Sequence, residues 1–179
     1  KYFLQVEKYV IINYMKYTWY KSIPESTSHG TGTYQKRLWK VVSDYVRIRD
    51  YYKYKKCISC NKMVHEWKDQ DWQAGHYTPY SICKGYTKFN PDNVFGQCSY
   101  CNRGFSGAPA GAMFKENIIK RNGEELLEKI ERFKYAPLEK REDYTELVLL
   151  KEMILKLAEL PEQPDYYKRV IEKEEFINF

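Results

Sequence analysis

Between residues 57 and 102 the chain reads CISC, then AGHY, then PDNVFGQCSYCN. Two Cys-x-x-Cys pairs, Cys57/Cys60 and Cys98/Cys101, bracket His76. Asn93 precedes the second pair and Asn102 follows it directly. Each Cys-x-x-Cys puts two thiolates on one tight turn, and four thiolates can close a tetrahedral shell around zinc. A closed shell leaves that metal no open position, so any chemistry falls to the histidine and asparagines it holds in place. A neutral imidazole can take a proton from water near pH 7. A hard divalent ion, Mg²⁺ or Mn²⁺, wants oxygen ligands, which an asparagine carbonyl or a carboxylate supplies. Base, loop-pinning polar residue and oxygen ligand are the parts that phosphodiester hydrolysis needs once a cation neutralises the scissile phosphate. The segment reads as a nuclease core with two metals, one structural and one catalytic.

The flanking elements must position these residues. From Tyr34 to about Tyr52 the apolar residues Leu38, Val41, Val42, Tyr45, Val46, Ile48 and Tyr52 form a helical stripe. Lys36, Arg37, Lys40, Arg47 and Arg49 lie largely off it, and Lys53, Lys55 and Lys56 lead straight into Cys57. Together with Arg103 these cations make a candidate DNA-binding face. Short strands are predicted at Met63–Trp67, Trp72–Tyr77 and Val94–Gln97, and a flexible loop over Gly104–Gly111. Helices are predicted over Ala112–Arg121, over Glu124–Tyr135 after the Asn122-Gly123 break, and over Asp143–Leu160, whose apolar face is broad enough to need burial in the domain or against a second copy. A short helix is expected in the tail. Residues 1–21 interleave aromatics with lysines and fit either a packing element or a platform on which Tyr17, Trp19 and Tyr20 stack unpaired bases. Residues 22–33 form a Ser/Thr/Gly linker carrying an exposed His29. This divides the chain into an N-terminal extension (1–33), a nuclease core with its basic helix and following helices (34–135), and a C-terminal helical region (136–179) able to form a homodimer.

Bulk composition agrees with that division. Of 179 residues 43% are hydrophobic, which supplies a real core and argues against a disordered tail. Residues 1–90 carry 16 Lys/Arg against 7 Asp/Glu, whereas residues 91–179 carry 14 against 17. A basic first half is the footprint of a polyanion partner, most plausibly nucleic acid. Four of five cysteines in Cys-x-x-Cys pairs point to a reducing compartment and a metal rather than a disulfide framework, with Cys83 left as a small buried hydrophobe. No apolar run approaches the roughly 18 residues a membrane span needs, and no signal peptide is visible.

Cys57-x-x-Cys60, Ala74-Gly75-His76-Tyr77, Asp92-Asn93 and Gln97-Cys98-x-x-Cys101-Asn102 together resemble a zinc-bearing HNH (ββα-metal) endonuclease. Upstream, Leu38-Trp39-Lys40 and Tyr45-Val46-Arg47-Ile48-Arg49-Asp50 resemble the NinG (Rap) recombination proteins of bacteriophages. Downstream, Asn117 to Gly123 and Leu127 to Glu131 fit the same family, so the likeness covers about residues 34–135. It implies an α+β fold, a small zinc-stabilised, treble-clef-like ββα-metal core flanked by N- and C-terminal helices. It also implies metal-dependent nicking of branched recombination intermediates such as D-loops and Holliday junctions, in the cytoplasm of a bacterial host. Carried over by position, His76 is the general base, Asn93 fixes the loop bearing it and Asn102 binds the divalent ion. Many HNH enzymes place a carboxylate immediately before the base. Gly75 stands there in this chain, which leaves Gln73 or Asp71 as the further ion ligand. Two alternatives follow: a zinc-containing module that binds recombining DNA without cutting it, and an HNH enzyme that nicks ordinary duplex. A junction has two-fold symmetry, so a C2 homodimer is expected, built through the Leu147–Leu160 helix or the aromatic N-terminal segment.

Overall fold

The computed structural model describes residues 19–27, 33–83, 85–103, 107–134, 146–173 and 176. The aromatic segment before Trp19 and the loop carrying His29 lie outside them. Helix α1 spans Thr33–Tyr54; strands β1 (Trp72–His76) and β2 (Val94–Cys98) follow, then helices α2 (Ser99–Asn102), α3 (Gly107–Asn122), α4 (Glu124–Phe133), α5 (Glu146–Ala158) and α6 (Asp165–Ile171). The fold class is α+β. Among the described residues no helix is long and apolar enough to cross a membrane.

The α1 stripe behaves as its periodicity predicts over most of its length. Leu38, Trp39, Val41, Val42 and Val46 pack against Leu149, Leu150, Met153, Ile154 and Leu157 of α5, and Tyr167 and Val170 of α6 close the cluster. Of the broad apolar face that raised the prospect of a dimer through this helix, Leu149, Leu150, Met153, Ile154 and Leu157 are covered within the same chain, whereas Leu155 stays exposed. The other dimer segment, the aromatic N-terminus, lies largely outside the described residues. Tyr52, at the end of the stripe, is exposed, because α1 outruns the core there and its hydroxyl donates to Glu162 Oε2 at 2.9 Å. The helix stops at Lys55, whose left-handed φ of 53° turns the chain toward the first knuckle while its N–H still reaches Tyr51 O at 3.1 Å.

β1 and β2 pair antiparallel with Trp72 opposite Cys98, Gln73 opposite Gln97, Ala74 opposite Gly96, Gly75 opposite Phe95 and His76 opposite Val94. Strand alternation sends Trp72, Ala74 and His76 to one face and Gln73 and Gly75 to the other. Ala74 and Val94 join the α1 core, whereas Phe95 packs with Phe114 and Ile118 of α3 and Leu127 and Ile130 of α4. The hairpin is thus sandwiched between helices, and all five residues of β2 are buried. Gly96 is required by close approach, since a Cβ there would stand 2.1 Å from Trp72 Cζ2.

Two expectations change. No strand forms over Met63–Trp67, and a single bridge joins Met63 to Lys56. Burial there falls on Val64 and Trp67, three residues apart, so the period of two that a strand needs is missing. The loop expected up to Gly111 is helical from Gly107 onward, because Pro109 falls in the first turn, where no backbone N–H is needed.

The C-terminal helix α6 is tied to α1 by a buried carboxylate. Asp44 Oδ2 accepts from Lys40 Nζ at 2.5 Å, from Tyr167 OH at 3.0 Å and from Tyr166 OH. Burial and the Asp44 charge push both phenols above the ordinary tyrosine value of 10.0. The folded state therefore keeps these protons after an unfolded chain has lost its own. The stability this contact contributes is complete below about pH 10 and is lost as pH rises beyond it. The denaturant midpoint is expected to fall more steeply between pH 9 and 11 in the parent protein than in Tyr166→Phe, and parallel curves would contradict the assignment.

Candidate functional site

The first knuckle is a tight turn in which Asn61, at a left-handed φ of 59°, donates its N–H to Cys57 O at 3.0 Å. Asparagine tolerates that conformation better than most residues. Arg121 from α3 grips the turn, with Nη1 on Lys56 O and Nη2 on Cys57 O, both at 3.2 Å. The second knuckle begins at Cys98, where β2 passes into α2, and Ile58 N–H reaches across to Gly96 O at 3.0 Å.

The ligand sulfurs of Cys57, Cys60, Cys98 and Cys101 all lie within 4.8 Å of one another, and Cys60 Sγ stands 3.7 Å from Cys98 Sγ. A tetrahedral zinc with Zn–S bonds of about 2.3 Å requires sulfurs roughly 3.8 Å apart, so the donor set and its spacing fit that ion. Burial pushes the Cys57 thiol up to about 11 against the backbone N–H groups of Cys98, Cys60 and Ser59 that pull it down. A metal entering here must displace protons.

His76 occupies the end of β1. Its ring stacks on Trp39 of α1 with centroids 4.7 Å apart and planes 14° apart, and meets the edge of Tyr80 at 5.6 Å. Nε2 lies 2.8 Å from the carbonyl oxygen of Lys88. A carbonyl only accepts, so in the neutral ring Nε2 carries the proton and Nδ1 carries the lone pair.

Asn93, buried at the end of the 3-10 turn Pro91–Asn93, staples the segment that follows His76. Its Oδ1 accepts from Thr78 N at 2.9 Å; its Nδ2 donates to Thr78 O at 3.2 Å, Cys83 Sγ at 3.2 Å and Thr87 O at 3.4 Å. Cys83 is buried as expected, but it also takes part in this staple by donating its thiol to Thr78 O at 3.1 Å. Burial raises its pKa and keeps it the neutral donor.

On the opposite face of the hairpin three carboxamides meet. Asn102 Nδ2 donates to Gln73 Oε1 at 2.9 Å, and Gln97 Nε2 donates to Ser59 Oγ at 2.5 Å. Gly75 has no side chain, and the space a Cβ would take is filled by these groups: Gln97 Oε1 lies 1.6 Å and Asn102 Oδ1 2.6 Å from that point. Asp71 is directed elsewhere, its Oδ1 accepting from Ser99 Oγ at 2.7 Å at the start of α2.

The structure therefore brings Gln73 and Asn102 together, sets Asp71 apart and puts His76 on the other face. Of the candidate DNA-binding cations, four are engaged within the chain. Arg37 Nε binds Ile23 O, Lys40 binds Asp44, Arg47 Nη2 binds Trp67 O, and Arg49 binds Asp50, Pro91 O and Val94 O. Lys36 lies near Glu25, whereas Lys53, Lys55, Lys56 and Arg103 are exposed around the two knuckles. Sequence reasoning passed over three residues. Gln97 is signalled only by its register opposite Gln73. Asp50, buried, accepts the Gly96 N–H at 2.6 Å and locks α1 to the hairpin. His65 also falls between the knuckles, but its side chain is exposed on the intervening loop.

Paired cysteine knuckles and a hairpin clasped between helices define a metal-knuckle α+β protein. The chain belongs to the NinG family, whose model, Bacteriophage Lambda NinG protein, matches residues 25–159. It is similar to Protein ninG of Escherichia phage lambda, 30% identical over 96 residues that cover 54% of this chain and 43% of that protein. The match thus spans less than half the length of that relative. No solved structure matches.

Chelation is expected to release one zinc per chain, measured by metal analysis, and to open the hairpin to proteolysis. Cys57→Ser is expected to weaken zinc by at least the roughly 10- to 100-fold that losing a supporting hydrogen bond around a metal costs. A chelated protein with unchanged melting and protease resistance would show that the thiols need no metal.

Proposed function

We propose that this protein is a metal-dependent, structure-selective endonuclease of HNH type that nicks branched DNA recombination intermediates, Holliday junctions and D-loops, by phosphodiester hydrolysis. The observation that carries this reading is His76. Its Nε2 is held on a backbone carbonyl and its ring is stacked on Trp39, at the end of a strand whose other edge pairs with no strand among the described residues. The imidazole and the carboxamides stand on opposite faces of the hairpin, so this reading requires a phosphodiester that reaches both around that edge.

In this mechanism His76 is the general base that takes a proton from the attacking water. Asn93 keeps the base in register by stapling Thr78 and Thr87. Asn102, oriented by Gln73, offers its oxygen to a divalent cation, which when bound neutralises the scissile phosphate and the leaving 3′ oxygen. Hydrolysis leaves a 5′ phosphate and a 3′ hydroxyl. Lys53, Lys55, Lys56 and Arg103 supply phosphate contacts around the core, since Arg37, Lys40, Arg47 and Arg49 already hold partners within the chain. Preference for branched DNA and for a bacteriophage recombination role rests on the family resemblance.

The carboxamide cluster favours one further reading. Gln73, Gln97 and Asn102 are all neutral, and a donor set without a carboxylate suits a module that binds DNA without cutting it. Cleavage of a labelled four-way junction in Mg²⁺ or Mn²⁺ distinguishes the two. His76→Ala is expected to lower the rate by about 10²- to 10⁴-fold with junction affinity retained. Undiminished cleavage by the variant would sink the general-base assignment, and no cleavage by the parent protein would leave the binding module. A linear duplex at the same salt tests branch selectivity, because bulk phosphate affinity is salt-dominated.

A further inference from the structure

The space above Gly75 is a built feature. Gln97 reaches it from β2, the opposite strand, and Asn102 reaches it from the end of α2, so two separate elements deliver amide oxygens to one point. Both are fixed from behind. Ser59, held inside the first knuckle, accepts from Gln97 Nε2, and Gln73 accepts from Asn102 Nδ2. Gln73 is anchored in turn by its Nε2 donating to Gln70 O at 3.5 Å, and in this network the NH₂ groups of Gln97 and Asn102 face Ser59 Oγ and Gln73 Oε1 while their oxygens point into the same space above Gly75. No described residue donates to either oxygen. Two carbonyl dipoles set negative end to negative end are unfavourable unless a donor or a cation lies between them.

Resting on the endonuclease reading above, we propose that Gln97 Oε1 and Asn102 Oδ1 are the paired protein ligands of the divalent cation, Gln97 filling from the neighbouring strand the place left by the missing side chain at position 75. Gln73 is then a positioning residue that aims Asn102, and Asp71, bound to Ser99, is not a ligand. The ligand charge is zero, which has a physical consequence. A hard ion gains only ion–dipole attraction from two amides and keeps most of its water. The negative charge that completes its shell comes from the DNA phosphate, so cation and DNA must bind with positive, reciprocal coupling.

The test uses the full zinc-loaded chain carrying His76→Ala to prevent cutting, with Mn²⁺ binding followed by electron paramagnetic resonance, with and without a four-way junction. The junction is expected to raise Mn²⁺ affinity by roughly tenfold or more. Gln97→Ala and Asn102→Ala are each expected to abolish that rise, and Asp71→Ala to leave it intact. Gln97→Glu keeps the shape of the site and adds a charge; it is expected to raise Mn²⁺ affinity in the absence of DNA by about tenfold. The exchange Gly75→Asp with Gln97→Ala, which brings in a carboxylate and removes the Gln97 atoms nearest its Cβ so that only the Asn102 side chain, 2.6 Å away, must shift, is expected to restore binding. Zinc content and melting temperature of each variant report whether it folds. Mn²⁺ affinity on the junction unchanged by both Gln97→Ala and Gln97→Glu in folded protein overturns the assignment, even where the parent chain cuts DNA. Loss of Mn²⁺ in Gln97→Ala and Asn102→Ala, with a parent chain that never cuts, upholds the cation site and removes the endonuclease reading instead.

Discussion

Four sulfurs brought within 4.8 Å of one another cannot all ionise unless a cation sits among them, and closing that cluster fixes the rest of the hairpin. Cys57 and Cys60 belong to the turn that ends the run from α1, whereas Cys98 and Cys101 belong to the junction of β2 and α2. Bringing the pairs together therefore joins the end of the longest helix to the end of the inner strand. A two-stranded sheet is marginal on its own in water. Here it is closed by the knuckles at one end and by helices on both faces.

The same strands are gripped a second time by ordinary protein chemistry. Asp50 is buried with one oxygen on Gly96 N–H and the other on Arg49 Nε, and Arg49 goes on to bind the carbonyls of Pro91 and Val94. A buried carboxylate left without these partners would be strongly destabilising, so the ionic pair holds register more than it adds net stability. Trp72 lies flat over Gly96 and donates its indole N–H to Arg47 O at 2.8 Å. One helix thus sets the height of both strands, and with them the positions of His76 and Gln97.

Much of this was legible in the chain. The α1 stripe, the α5 stripe, the Asn122-Gly123 break and the twin knuckles all rest on spacing, and spacing survives folding. Tertiary partners do not announce themselves in that way. Arg37, Lys40, Arg47 and Arg49 looked like a phosphate-binding face because their charge is visible in a sequence, whereas the carbonyls that receive the three arginines and the Tyr166 hydroxyl that receives Lys40 lie 14 to 126 positions away. Met63–Trp67 carries β-branched and aromatic residues, yet the chain there turns over a corner of the knuckle core and pairs only once. Gln97 carries neither charge nor motif character beyond preceding a cysteine, and only register shows that it faces Gln73.

Gly75 is where sequence and structure give different meanings to one residue. Read along the chain, it is an absence, the lack of a carboxylate beside His76. Read across the sheet, it is the vacancy that lets a neighbouring strand deliver an amide oxygen to the side of Asn102. On the reading proposed above, the exchange replaces a charged ligand by a neutral one and moves the charge requirement onto the substrate. A hydrolytic cation so held stays weakly bound until a phosphate backbone crosses the strand edge. Zinc, held by four thiolates in a closed shell, has no such dependence. The two ends of one short hairpin then differ in kind: permanent closure at the knuckles, and a cation held at Gly75 only while DNA is present.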